Sequence, residues 1–218
     1  MIEDIATFLE MGPVIPVLTV ERAEDAVPLA RALIKGGLRV LEVTLRTQVA
    51  LDAIRRIANE VEDAIVGAGT VLNESDIERA KDAGARFAVS PGLTEPVARG
   101  ASAAELPLLP GVATASDLMR GLDLGLTRFK FFPAETSGGA AALKALQGPF
   151  GQCRFCPTGG VTLENAPRYL ALQNVLCVGG TWIAPHEFVK AGDWAAIALR
   201  AREAARLGTS NGKTRAAP

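Results

Sequence analysis

The chain has 218 residues, 49% of them hydrophobic and 22% charged, so it can bury a sizeable core and does not have the composition of a disordered chain. Its 23 Lys and Arg against 24 Asp and Glu give a net charge of -1, which argues against a surface built to neutralise nucleic-acid phosphates. No stretch approaches the roughly 20 uninterrupted apolar residues of a membrane span, and the opening MIEDIATFLE lacks the basic and apolar regions of a secretory signal, so a cytoplasmic protein is expected.

In chain order, a short helix over the first ten residues is expected to cover the amino-terminal end of the fold. Brief apolar runs then alternate with longer amphipathic ones. Strands are predicted at 14–20 (VIPVLTV), 39–45 (RVLEVTL), 65–70 (IVGAGT), 87–90 (FAVS), 107–111 (PLLPG), 128–132 (RFKFF), 153–157 (CRFCP) and 175–178 (VLCV). Between them, 23–35 places Ala26, Leu29, Ala30, Leu33 and Ile34 on one helical stripe and stops at Gly36-Gly37. The segment 48–61 does the same with Ala50, Leu51, Ile54, Ile57 and Ala58. Asn73 stands before a helix at 74–83, where its side chain can satisfy free backbone amides, and Thr94, Thr114 and Thr162 hold comparable positions after strands. A last helix is predicted at 194–207, and the small, polar tail 208–218 is expected to fray.

Strand starts recur every 20 to 26 residues or so, the length of a strand, a helix and two short loops. Eight such units imply a parallel sheet, and eight is the number that closes a (βα)8 TIM barrel. The expected architecture is therefore α/β, one barrel domain over 1–207 with an extra amino-terminal helix. An open doubly wound sheet is the competitor, but nearly equal units favour closure.

Cys153, Cys156 and Cys177 are an odd number of cysteines in a chain too large to need stapling, which suits a reducing compartment. Cys153 and Cys156 lie in one strand candidate, where positions three apart point to opposite faces, so they read as core thiols and not as a metal or redox pair.

Polar residues in buried strands carry the chemistry. In 41–46 the apolar residues take one face and Glu42, Thr44 and Arg46 the other. Neither face of a parallel barrel strand is solvated, so Glu42 and Arg46 are expected at an internal cavity near the strand's carboxyl end, where such barrels do their chemistry. Lys130 is the one lysine of six placed mid-strand, among Phe129, Phe131 and Phe132. A buried, unpaired ammonium is costly and tends to shed its proton, which is what an amine nucleophile requires. Paired glycines end the last two strands, Gly159-Gly160 and Gly179-Gly180, where backbone N–H groups and a following helix start could hold an anion. Gly67-Ala-Gly69-Thr70 lacks the third glycine of a dinucleotide motif. The single histidine, His186, lies beyond the last strand in a loop position. Carboxylates at strand ends are few, essentially Glu42 with Glu135 further out, so no metal and no cofactor is expected.

Taken together, 36–47 (GGLRVLEVTLRT), 66–72 (VGAGTVL), 90–96 (SPGLTEP), 129–135 (FKFFPAE), 154–160 (RFCPTGG) and 178–182 (VGGTW) resemble the class I 2-keto-3-deoxy-6-phosphogluconate aldolases, which often also cleave 4-hydroxy-2-oxoglutarate. The likeness runs from about Gly12 to Arg206. It implies a (βα)8 barrel, a homotrimer, a phosphorylated 2-keto acid as substrate, and a place in the Entner–Doudoroff pathway. By position, it makes Lys130 the Schiff-base residue and Glu42 the general acid/base. Arg46, Thr70 and Thr158 would hold the pyruvyl end, Pro91 and Phe132 would line the pocket, and Gly159, Gly160, Gly179, Gly180 and Thr181 would meet the phosphate. Thr181 stands where the family pattern has serine; the hydroxyl is kept and a methyl added. The alternatives are a sister aldolase for the galactonate epimer, one acting chiefly on 4-hydroxy-2-oxoglutarate, a phosphate-binding barrel isomerase or epimerase, or a non-catalytic sugar-phosphate sensor.

Overall fold

Parallel neighbours cannot be joined by a tight turn, so each strand must be followed by a crossover long enough to carry the chain back. The computed structural model, which describes residues 4–207, meets that requirement with helices throughout. The expected tail at 208–218 lies outside the described residues. The strands are β1 Val14–Leu18, β2 Val40–Thr44, β3 Ile65–Gly69, β4 Ala88–Val89, β5 Leu108–Leu109, β6 Gly111–Val112, β7 Arg128–Phe131, β8 Arg154–Pro157 and β9 Val178–Gly180. They pair in parallel in the orders β5-β4-β3-β2-β1-β9 and β6-β7-β8.

Two seams join these groups. Between β5 and β6 lies only Pro110, which has no N–H to give but whose carbonyl accepts from Lys130 N at 2.9 Å, so β5 and β6 are one strand interrupted by a proline. Between β8 and β9 the contact runs through single bridges, Phe155 to Val175 and Thr158 to Gly179. Phe155 N–H donates to Asn174 O at 2.8 Å and Leu176 N–H to Phe155 O at 3.0 Å. The sheet thus curls round into the expected eight-unit barrel.

The helices are α1 Ile5–Leu9, α2 Ala26–Lys35, α3 Ala50–Glu60, α4 Glu74–Asp82, α5 Glu95–Ala103, α6 Ala115–Asp123, α7 Gly139–Leu146, α8 Ala166–Leu170, α9 His186–Ala191 and α10 Trp194–Arg206. Asn73, Thr94 and Thr114 cap α4, α5 and α6 with side-chain oxygens, as expected. Thr162 instead accepts from Asn165 N, four residues ahead of the helix, and closes a turn. Two sequence expectations shift. The first crossover opens with a 3₁₀ turn, Ala23–Asp25, and the last strand sits at Val178–Gly180 and not at 175–178, because Val175 makes only a bridge.

Side chains alternate about the strands and so divide the core in two. Outward residues such as Leu41, Val43, Val66, Phe129, Phe131 and Phe155 pack against the helices. Inside the barrel, Ile15, Val40, Ile65, Phe87, Val89, Leu109, Cys156 and Cys177 form a separate layer, closed from below by Ile5, Phe8 and Leu9 of α1. The amino-terminal helix is thus a plug, as expected. Cys153 falls in the outer core and Cys156 in the inner one, consistent with opposite faces, and all three cysteines are buried with no disulfide among the described residues. Above the apolar inner layer, at the carboxyl ends of the strands, the interior turns polar.

Candidate active site

The strand that carries Glu42 places Val40, Glu42 and Thr44 on its inner face, one above another, by the two-residue period alone. Val40 belongs to the apolar layer; Glu42 and Thr44 rise above it, 3% and 2% exposed. On β7 the same period turns Phe129 and Phe131 outward and Lys130 inward, leaving it 6% exposed. β2 and β7 stand opposite one another around the ring, so the two side chains meet across the lumen: Lys130 Nζ donates to Glu42 Oε1 at 3.1 Å. Lys130 Nζ also lies 5.2 Å from the centre of the Phe132 ring.

The amine is therefore buried but not alone, which corrects the sequence argument. That argument foresaw an unpaired ammonium because a partner 88 positions away, on the far side of a barrel, leaves no trace in the local pattern. The carboxylate beside it can serve as the proton's destination when the amine must act as a nucleophile.

Room for Glu42 and for Thr158 is made by glycine. A Cβ on Gly69 would lie 2.3 Å from Glu42 Oε1, and one on Gly179 would lie 2.2 Å from Thr158 Oγ1. Thr70, at the end of β3, holds a φ of 59°, a left-handed conformation that is strained for a β-branched residue. Arg46 extends past the end of β2 to the exposed rim, where hydroxyls hold its guanidinium. Nε donates to Thr44 Oγ1 at 3.0 Å and Nη2 to Thr19 Oγ1 at 2.9 Å, while Thr44 Oγ1 itself donates to Leu18 O at 2.9 Å. No described carboxylate pairs with Arg46, so its charge stays available to an anion.

All twelve residues singled out from the sequence, Glu42, Arg46, Thr70, Pro91, Lys130, Phe132, Thr158, Gly159, Gly160, Gly179, Gly180 and Thr181, line one cavity of about 140 Å³. Val17, Thr44 and Val161 line it too. Thr44 was legible on the face shared with Glu42; Val161 and the Thr19 contact to Arg46 had no sequence signal. The glycine turns differ from expectation in one respect. α8 starts at Ala166 and α9 at His186, so neither helix start abuts its glycine pair. What the first turn offers instead is backbone: Gly159 and Gly160 have φ of 98° and 77°, and the amides of Gly160 and Val161 have no acceptor among the described residues. His186 lies outside the cavity, exposed, with Nε2 3.0 Å from Glu21 Oε2. That contact holds the Glu21 carboxyl below its usual range.

Known proteins resemble the chain closely. A family model described as KDPG and KHG aldolase matches residues 5–199. A KHG/KDPG aldolase of Escherichia coli is 57% identical over 198 residues, covering 91% of this chain and 93% of that protein. The crystal structure of a KDPG aldolase from Legionella pneumophila, with pyruvate captured as a covalent carbinolamine intermediate, superposes with a TM-score of 0.90 at 46% identity, over 92% of this chain and 97% of that one. The Zymomonas mobilis 2-keto-3-deoxy-6-phosphogluconate aldolase with 3-phosphoglycerate gives 0.90 at 50% identity, over the full length of both.

Proposed function

The chain belongs to the KDPG and KHG aldolase family, and from that premise we propose how its own residues carry out the reaction. It is a class I aldolase, a carbon–carbon lyase that cleaves 2-keto-3-deoxy-6-phosphogluconate to pyruvate and glyceraldehyde 3-phosphate and 4-hydroxy-2-oxoglutarate to pyruvate and glyoxylate. The observation that carries the mechanism is the Lys130–Glu42 contact across the barrel, a buried amine with one carboxylate 3.1 Å away.

Glu42 takes a proton from the Lys130 ammonium, and the freed amine attacks the C2 carbonyl to give a carbinolamine. Loss of its hydroxyl as water, with Glu42 returning the proton, leaves an iminium. That cation draws the electron pair of the C3–C4 bond as the C4 hydroxyl gives up its proton to Glu42, and the aldehyde departs. The enamine left behind is reprotonated at C3, and water releases pyruvate. All the proton positions lie within a few bonds of C2, so one carboxylate facing the amine can serve them in turn. Arg46, held by neutral hydroxyls, pairs with the substrate carboxylate. Thr70 and Thr158 hold the pyruvyl end, Pro91 and Phe132 line the pocket, and the turns at Gly159-Gly160 and Gly179-Gly180-Thr181 receive the phosphate. Distal binding energy then positions the reacting bond.

Borohydride added with pyruvate should leave one reduced adduct, mapped to Lys130; Lys130→Met should lose both adduct and turnover. A wild-type protein that stays unlabelled overturns the imine. The cytoplasmic setting is supported by three buried cysteines that form no disulfide among the described residues, and the homotrimer by family resemblance.

A further inference from the structure

The turn that follows β8 is held from outside the cavity by residues to which neither the family resemblance nor the reaction gives a part. Two consecutive peptide planes are pinned by their carbonyls. Gly159 O accepts from Glu135 N at 3.1 Å, and Gly160 O accepts from Asn165 Nδ2 at 2.9 Å. In a planar trans peptide the C=O and the N–H point in opposite directions. Fixing the Gly159 carbonyl outward therefore turns the Gly160 N–H the other way, and fixing the Gly160 carbonyl does the same for the Val161 N–H. Both amides are without an acceptor among the described residues, and both residues line the cavity.

Each pin is itself anchored. Asn165 Oδ1 accepts from Thr162 N at 2.8 Å, which leaves its Nδ2 aimed at Gly160 O. Glu135 is fixed by Tyr169, whose fully buried ring on α8 presents its hydroxyl to Glu135 Oε1. The fit is close, since a Cβ on Gly160 would come within 2.8 Å of Glu135 Cβ and Cγ.

We propose that Asn165, Glu135 and Tyr169 are positioning residues that set the affinity for the phosphoryl group by holding the Gly160 and Val161 amides toward the cavity. The inference rests on the aldolase reading above and extends it to the selectivity between phosphorylated and unphosphorylated 2-keto acids. None of the three residues lines the cavity, so 4-hydroxy-2-oxoglutarate, which has no phosphate, should be indifferent to them.

The test compares the wild type with Asn165→Ala, Tyr169→Phe and Glu135→Gln. For Asn165→Ala and Tyr169→Phe, KM for 2-keto-3-deoxy-6-phosphogluconate should rise about fivefold to tenfold, the worth of one hydrogen bond of ~1 kcal/mol. kcat, turnover of 4-hydroxy-2-oxoglutarate and pyruvate trapping should stay within twofold of wild type. Glu135→Gln keeps an oxygen for the Tyr169 hydroxyl and should stay near wild type on both substrates. Calorimetric titration with 3-phosphoglycerate reads the turn without turnover and should weaken in the same order. Equal losses on both substrates, unchanged KM for the phosphorylated one, or 3-phosphoglycerate binding that is undetectable in wild type or identical in all variants would overturn the proposal. Failure of the wild type to cleave either substrate counts against the aldolase reading instead, and leaves the titration to decide this one.

Discussion

Gly69→Ala isolates the role of the Glu42 carboxylate, because the backbone there does not require glycine and only the neighbour forbids a side chain. The added Cβ would sit 2.3 Å from Glu42 Oε1, 2.7 Å from Cγ and 2.8 Å from Cδ. Three atoms of one side chain are too close, so turning the carboxylate about its last bond gives no relief, and the whole group must shift by about 1 Å, judged against ordinary contacts of ~3.5 Å or more. Glu42 is 3% exposed and has nowhere to go without breaking its 3.1 Å contact to Lys130. Overpacking of this kind costs about 1–3 kcal/mol of stability, or a Tm lower by roughly 2–12 °C in a domain of this size. A 1 Å misplacement of a catalytic group costs about a hundredfold in rate. Thermal melting and a lactate-dehydrogenase-coupled pyruvate assay read the two effects, with Gly92→Ala, where the added Cβ meets nothing within 4 Å, as the control. A Gly69→Ala protein with kcat/KM within twofold of wild type would refute the placement of the general acid/base.

Thr44→Val removes the hydroxyl that receives Arg46 Nε, so KM for 2-keto acids should rise about fivefold while a phosphate ester lacking a carboxylate binds as before; an unchanged KM would detach Arg46 from substrate. Thr70→Gly relieves a φ of 59° at the expense of a hydroxyl: the melting temperature should hold or rise, since about 1–2 kcal/mol of left-handed strain offsets the glycine's greater unfolded entropy, while kcat/KM falls. Tyr169 is the only tyrosine, so alkaline difference absorbance reports it alone. Burial first, then the bond and charge of Glu135, raise its phenol pKa. The folded state is therefore favoured below the ordinary value of about 10, and that contribution is lost as pH climbs from there toward the folded value. Tyrosinate should appear only as the protein unfolds, and a native titration near pH 10 would show the hydroxyl to be solvated.

What the sequence made legible was whatever depends on period. Strand after strand, the two-residue alternation places Glu42 with Thr44 and separates Lys130 from Phe129 and Phe131, and the recurrence of the units gives the barrel and its plug. Lost to it was whatever depends on closure of the ring. Lys130 meets Glu42 because β2 and β7 stand on opposite sides of a ring of eight strands, a relation no window of sequence contains. The hydroxyl of Thr19 reaches Arg46 across a strand junction, and the side chain of Asn165 reaches Gly160 around a turn. Pro110 has a local effect: lacking an N–H, it breaks the ladder on one side only, so the strand predicted at 107–111 appears as two short pieces, Leu108–Leu109 and Gly111–Val112.

Pairing changes what burial does for the amine. Had Lys130 been alone in the barrel, the low-dielectric interior would have had to do all the work of keeping it reactive. With Glu42 opposite at 3.1 Å, the ammonium and carboxylate enter the core as a pair of zero net charge, so the site need not hold an isolated charge before substrate arrives. The same geometry makes each partner structurally dependent on the other, since removing one strands a buried charge at a cost of about 3–5 kcal/mol. Substrate binding resolves that dependence. In the mechanism proposed above, the iminium on Lys130 would keep the positive charge that the ammonium had carried, and the Glu42 carboxylate across the lumen would be left free to move protons at the reacting carbons.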